Sequence, residues 1–311
     1  MFETILAYIS NIESVLALGG RILGLKKLLH TKVSETKIDS VENRFLILFE
    51  KHGVNRNQIP RFFGHGLMLD DVSSPEKLLP KLTHEMLQDA SDLFAIRLEW
   101  LECTDDIIYP IYQHHFYQAP ERFQRFLLEL KLHGDQHHLS AHFVVSNNPK
   151  LTDYNAFFYI QELIGELGDK QIVRYHLCSH QWTHQYWKAR ADLAACVAIA
   201  CATLGDAWGF QTKDDISAFD RGERFLSELD NLQDQKKTSK NPQRKGNLWR
   251  PEDWVADPAS FLDGVDEGKR GKVFGLSRWL EHYNQGLMNT RFPMYANAAE
   301  AFEAELEKHT N

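Results

Sequence analysis

Nine of the fifteen histidines fall between positions 114 and 184: His114, His115, His133, His137, His138, His142, His176, His180 and His184. Imidazole is the commonest metal ligand, so this crowding is the first place to look for chemistry. His180 and His184 are four apart in SHQWTHQYW, a spacing that puts two side chains on one helix face. With His176 or Cys178 they make a candidate Zn²⁺ set. No glutamate follows His180, so the HExxH pattern of a metalloprotease is not completed. A lone HxxxH is more often two surface or satisfied core histidines, and no metal is expected. Arg174 and His176, with Trp182 as an aromatic wall, are candidate residues for binding a small anionic ligand. The plainer use of Trp182, Tyr186 and Trp187 is to pack a helix on a sheet. No GxSxG, P-loop or GxGxxG occurs, and no nucleophile–base pair is assigned. The reading therefore carries no catalytic residue and no cofactor. Cys103, Cys178, Cys196 and Cys201 contain no CxxC spacing and read as reduced thiols of a cytoplasmic protein.

The elements that must hold these side chains are strands and helices in one region, 106–230. LSAHFVVSN at 139–147 alternates, with Leu139, Ala141, Phe143 and Val145 on one face and Ser140, His142, Val144 and Ser146 on the other. NAFFYIQEL at 155–163 is rich in aromatics that favour strands. IVRYHLC at 172–178 sets Arg174, His176 and Cys178 against Val173, Tyr175 and Leu177. NNPKLTDY and IGELGDKQ hold the turn residues of a three-stranded antiparallel meander. A helix over PERFQRFLLELKLHG precedes it, and another over roughly 181–205 follows. In that second helix LAACVAIACATLG is small on every side, which suits close burial against the sheet.

Beyond this region the chain has 311 residues, 43% hydrophobic and 25% charged, with net charge −8. That balance is globular and long enough for two domains. An acidic chain is no nucleic-acid coat, so any DNA contact must come from local patches. Residues 1–30 read as an amphipathic helix packed on the body or a partner. Asn11, Glu13 and Arg21 interrupt its apolar run, so it does not span a bilayer, and a membrane-surface role is the lesser alternative. Residues 231–250 carry six basic residues against Asp234 alone, net +5, and read as a solvated linker or a phosphate-contacting arm. Residues 251–311 read as a helical extension.

Residues 43–103 punctuate short helical patterns with glycine. Phe45, Leu46, Leu48 and Phe49 lie on a first helix that stops at Gly53. Arg56–Phe63 makes a second that ends at Gly64, and a third segment begins near Leu67. Downstream stand Leu93-Phe94-Ala95-Ile96 and Trp100-Leu101. This layout resembles the lambda-repressor-like helix-turn-helix family over about 60 residues. Ile59-Pro60 departs from the family's leucine-alanine pair. Asp70 and Asp71 would repel phosphate, and residues 41–105 hold seven basic and eleven acidic residues. The resemblance implies an α+β protein in which a helical helix-turn-helix-like domain at 43–103 precedes an α+β sensor or oligomerisation domain at 106–230. It implies a transcriptional regulator that binds double-stranded DNA through Arg56, Gln58, Arg61 and His65, as a homodimer. An interaction or defence-type effector whose degenerate module serves as a protein–protein surface is the alternative. A metal-dependent enzyme built on the His176–His184 cluster is the third.

Overall fold

The computed structural model describes residues 40–133, 138–148, 150–151, 154–205, 207–229, 251–288 and 297–310. The segments read as an amphipathic helix at 1–30 and a basic linker at 231–250 lie outside them. The described chain is a mixed α/β fold around one four-stranded sheet.

Three strands follow the alternation of the sequence: β1 Leu139–Ser146, β2 Ala156–Leu167 and β3 Lys170–Trp182. They pair antiparallel, with Ser140 opposite Gln161 and Glu162 opposite Arg174. β2 and β3 run further than expected, because Gly168 takes a positive φ of 65° and closes their hairpin in two residues.

Two expectations are corrected. The sheet is not a three-stranded meander: a fourth strand, β4 Ala207–Thr212, lies parallel to β1, giving the order β3-β2-β1-β4. A parallel return needs a crossover, and the 18-residue helix Trp187–Leu204 spans about 27 Å, enough to recross the sheet. That helix also starts later than residue 181, because pairing of Trp182 with Ala156 keeps the chain extended. Gly205, at φ 96°, ends it in the left-handed conformation that glycine tolerates.

Both sheet faces are covered. Phe143, Val145, Phe158, Ile160, Cys178 and Trp182 face a layer that includes Phe123 and Leu127 of Pro120–His133 and the small residues of Trp187–Leu204. Leu276 and Trp279 of the helix Gly268–Asn284 and Phe302 of Ala298–Thr310 complete that core. The opposite face, with Val144, Phe157, Tyr159, Ile172, Tyr175 and Leu177, is covered by the helical module.

The module runs through α1 Val41–Lys51, a 3-10 turn Arg56–Gln58, α2 Ile59–Phe62, α3 Pro75–Leu78, α4 His84–Phe94 and α5 Leu98–Leu101. We number the later helices in order: α6 is Pro120–His133, α7 Trp187–Leu204, α8 Ser217–Asp220, α9 Pro251–Ala256, α10 Pro258–Phe261, α11 Gly268–Asn284 and α12 Ala298–Thr310. Pro60 stands in the first turn of α2, where its missing N–H costs nothing. The module shares one continuous core with the sheet, through contacts such as His52 on Tyr175 at 5.7 Å. Among the described residues no helix is long and apolar enough to cross a membrane.

Candidate functional site

Gly64, His65 and Gly66 follow α2 with positive φ at all three positions, 79°, 54° and 70°. The left-handed run swings the chain out of helical geometry, so no helix forms where a groove-reading helix would stand. Residues 67–70 are loop, followed by a single 3-10 turn at Asp71–Ser73. Asp71 holds this loop: its Oδ2 accepts the Met68 N–H at 2.9 Å, and Lys81 lies 3.5 Å from its carboxylate.

Of the four side chains suggested for DNA, three are engaged within the module. Arg56 pairs with Glu50 at 2.5 Å. The Gln58 side chain accepts the Asn55 backbone N–H at 3.0 Å, tying down the start of the 3-10 turn. His65 stacks on Phe63 and lies 3.1 Å from Asp89. Arg61 is exposed and has no ion pair or hydrogen bond among the described residues.

The same bookkeeping covers the other cations of 41–105. Arg44 reaches Asp106 at 3.1 Å and Lys51 reaches Glu228 at 2.7 Å. Lys77 pairs with Asp70 at 2.5 Å, Lys81 with Asp71, and Arg97 with Asp105 at 2.7 Å. Six of the seven basic residues in the module thus sit on carboxylates. Between these charges the loop and the 3-10 turn after α3 present Met68, Leu69 and Leu79 to solvent, at 68%, 62% and 51% exposure.

The suggested ligand residues are divided. Arg174 and His176 converge on Glu162, which period-2 reading of β3 alone could not supply. Arg174 donates to both Glu162 oxygens, at 2.7 and 2.8 Å, and His176 Nε2 lies 2.7 Å from Oε2. Burial opposes ionisation of Glu162, yet these hydrogen bonds and the neighbouring charges hold its carboxyl down at about 2. The anion that these two side chains can bind is therefore already part of the protein. His114, on the segment leading to α6, sits edge-on to His176 at 5.5 Å. Burial and the His176 charge push it down to about 3. Trp182 lies six residues further along β3, about 20 Å from His176. It is fully buried against Phe158 and Tyr117, so it forms no wall beside Arg174.

His180 belongs to β3 and His184 to the turn after it, so the helical face expected for the HxxxH pair does not exist. Among the described residues no group of three or more His, Cys, Asp and Glu side chains is arranged to hold a metal ion. No family model matches the chain, no curated protein matches it, and no solved structure matches it.

Proposed function

We propose that the chain is an interaction protein whose helix-turn-helix-like module pairs with a second copy of itself. The observation that carries this reading is the pairing of six of the seven module cations with carboxylates. A DNA reader spends such cations on phosphates and gains affinity by releasing counterions. Here the module is net negative, and its apolar side chains stand where a groove-reading helix would.

The loop suits a self-complementary contact. Met68, Leu69 and Leu79 give it an apolar centre, while Asp70 and Lys77 alternate in sign beside it. A two-fold axis would set the apolar centres of two copies against each other, with the Asp70–Lys77 pair of each at the rim. The test is molar mass in solution at micromolar concentration. The wild type is expected to be a dimer, and Met68→Asp with Leu69→Asp is expected to be a folded monomer. A monomeric wild type, or a dimer indifferent to both substitutions, overturns the reading.

The DNA-binding regulator stays as the second reading because Arg61 is exposed and has no ion pair among the described residues. A gel shift at low salt separates the two. Retardation at micromolar protein that is weakened by Arg61→Ala would favour the regulator.

A further inference from the structure

One corner of the sheet is not reached by the module. On the module-facing side of β1 lie Ser140, His142, Val144 and Ser146, of which Val144 and Ser146 are buried. Ser140 and His142 remain partly open, as does Gln161 opposite Ser140 on β2. On β4 the register partner of His142 is Trp208, which is 55% exposed. These residues form an uncharged, partly exposed patch on the module-facing side of β1, β2 and β4.

The side chains in the patch are connected. Ser140 Oγ lies 2.9 Å from His142 Nε2 and 3.3 Å from Gln161 Oε1. The His142 ring lies flat on Tyr159, with centroids 4.9 Å apart and planes 6° from parallel. Its Nδ1 is buried and has no hydrogen-bond partner among the described residues. Burial keeps the ring neutral, with a pKa of about 4, against a smaller upward pull from Gln161. A neutral imidazole protonated at Nδ1 presents Nε2 as an acceptor toward Ser140. Ring orientation, which a carboxylate fixes in a catalytic triad, is fixed here by the Tyr159 stack.

We propose that Ser140 is a nucleophile assisted by His142, and that the patch takes an uncharged ester with an apolar or aromatic acyl group resting on Trp208. Ser140 Oγ attacks the acyl carbon while its proton passes to His142 Nε2. The tetrahedral intermediate collapses, the C–O bond to the alcohol breaks, and Nε2 returns the proton to the departing oxygen. Water then attacks the acyl-serine. His142 takes one of its protons and gives it to Ser140 Oγ, releasing the carboxylic acid. Without a carboxylate behind His142 the deacylation is slow, so covalent capture is the suitable readout.

The experiment is to treat the full chain with an aryl fluorophosphonate and map the adduct by mass spectrometry. A single adduct on Ser140 is expected, absent in Ser140→Ala and slowed about 100-fold in His142→Gln. No adduct on the folded wild type, an adduct elsewhere, or unchanged labelling of His142→Gln overturns the proposal. Circular dichroism checks that each variant is folded. A second variant does not depend on removing the histidine. Ser140→Cys should alkylate with chloroacetamide faster than the partly exposed Cys103 of the same chain. Equal or slower reaction at position 140 also overturns it.

Discussion

A carboxylate with 3% of its side-chain surface exposed is stable only if its neighbours replace the water it has lost, and Glu162 has two such neighbours. Arg174 grips both oxygens and His176 shares one of them, and each of the three side chains depends on the others. Glu162→Ala removes the common partner and leaves two polar groups facing an apolar layer, a loss of about 3–5 kcal/mol. Glu162→Gln keeps the shape and one acceptor, so it should be milder. Arg174→Ala should be milder than Glu162→Ala as well, because the arginine is partly exposed and water can reach its place. Urea unfolding of the three variants checks the order. A Glu162→Ala midpoint equal to wild type would mean that the cluster contributes nothing to stability. Part of this site is legible in the sequence: alternation along 172–178 does put Arg174 and His176 on one face. The register that sets Glu162 opposite Arg174 is not legible, because it depends on where the β2–β3 hairpin turns. The same blindness made Arg56 and His65 look available, when Glu50 and Asp89 are folded back onto them.

At the scale of elements, the module meets the sheet where a side chain is missing. A Cβ on Gly165 of β2 would lie 3.1 Å from Phe62 Cε2, so glycine lets α2 lie against the hairpin. Gly165→Val should push Phe62 off the sheet and cost about 1–3 kcal/mol. Gly168→Ala in the adjacent turn meets no atom of the described residues within 4 Å but must hold a φ of 65°, so its cost is backbone strain. Thermal unfolding with fluorescence can compare them. If Gly165→Val melts with the wild type, α2 is not pressed on β2. The three long strands, α6 and α7 were readable: β1 and β3 alternate, β2 is rich in aromatics, α6 repeats its apolar residues at helical spacing, and α7 is a run of small apolar residues. β4 was not readable, because AWGFQT is six residues, holds a glycine, and stands directly after a helix whose small residues mask its end. The missing groove-reading helix was also hidden. Gly64 and Gly66 could have ended one helix and begun another, and the positive φ carried through 64–66, His65 included, is not legible in the sequence.

For the molecule as a whole, the histidines matter less as ligands than as buried neutral groups. His52 lies tilted against Phe94 in the seam between module and sheet, with Nδ1 on the Leu48 carbonyl and Nε2 buried with no partner among the described residues. Burial lowers it to about 4, against the Leu48 hydrogen bond that raises it. His142 is lowered to about 4 and His114 to about 3, again by burial first. In the unfolded chain each would return to about 6.5. A depressed histidine binds its proton more readily when unfolded, so its contribution to stability is intact above pH 6.5. It is lost as pH falls from about 6.5 toward the folded value, at up to about 1.4 kcal/mol per pH unit for each fully buried ring. Glu162 works on a different range: its lowered carboxyl stabilises the fold above pH 4.5 and is lost only below that. Loss of stability between pH 6.5 and 4.5 therefore belongs to the histidines. With typical domain stabilities of about 5–15 kcal/mol, these three groups and His184, which burial also lowers, bring unfolding within reach near pH 5. Urea unfolding at about pH 7.5, 6.5 and 5.5 should show stability level over the first interval and falling over the second. His52→Phe keeps an aromatic ring in the seam and removes one proton site, so its curve should fall less steeply, by up to about 1.4 kcal/mol per pH unit. Equal stability of the wild type at all three pH values would mean that these rings are hydrated and that module and sheet are less tightly joined than their contacts imply.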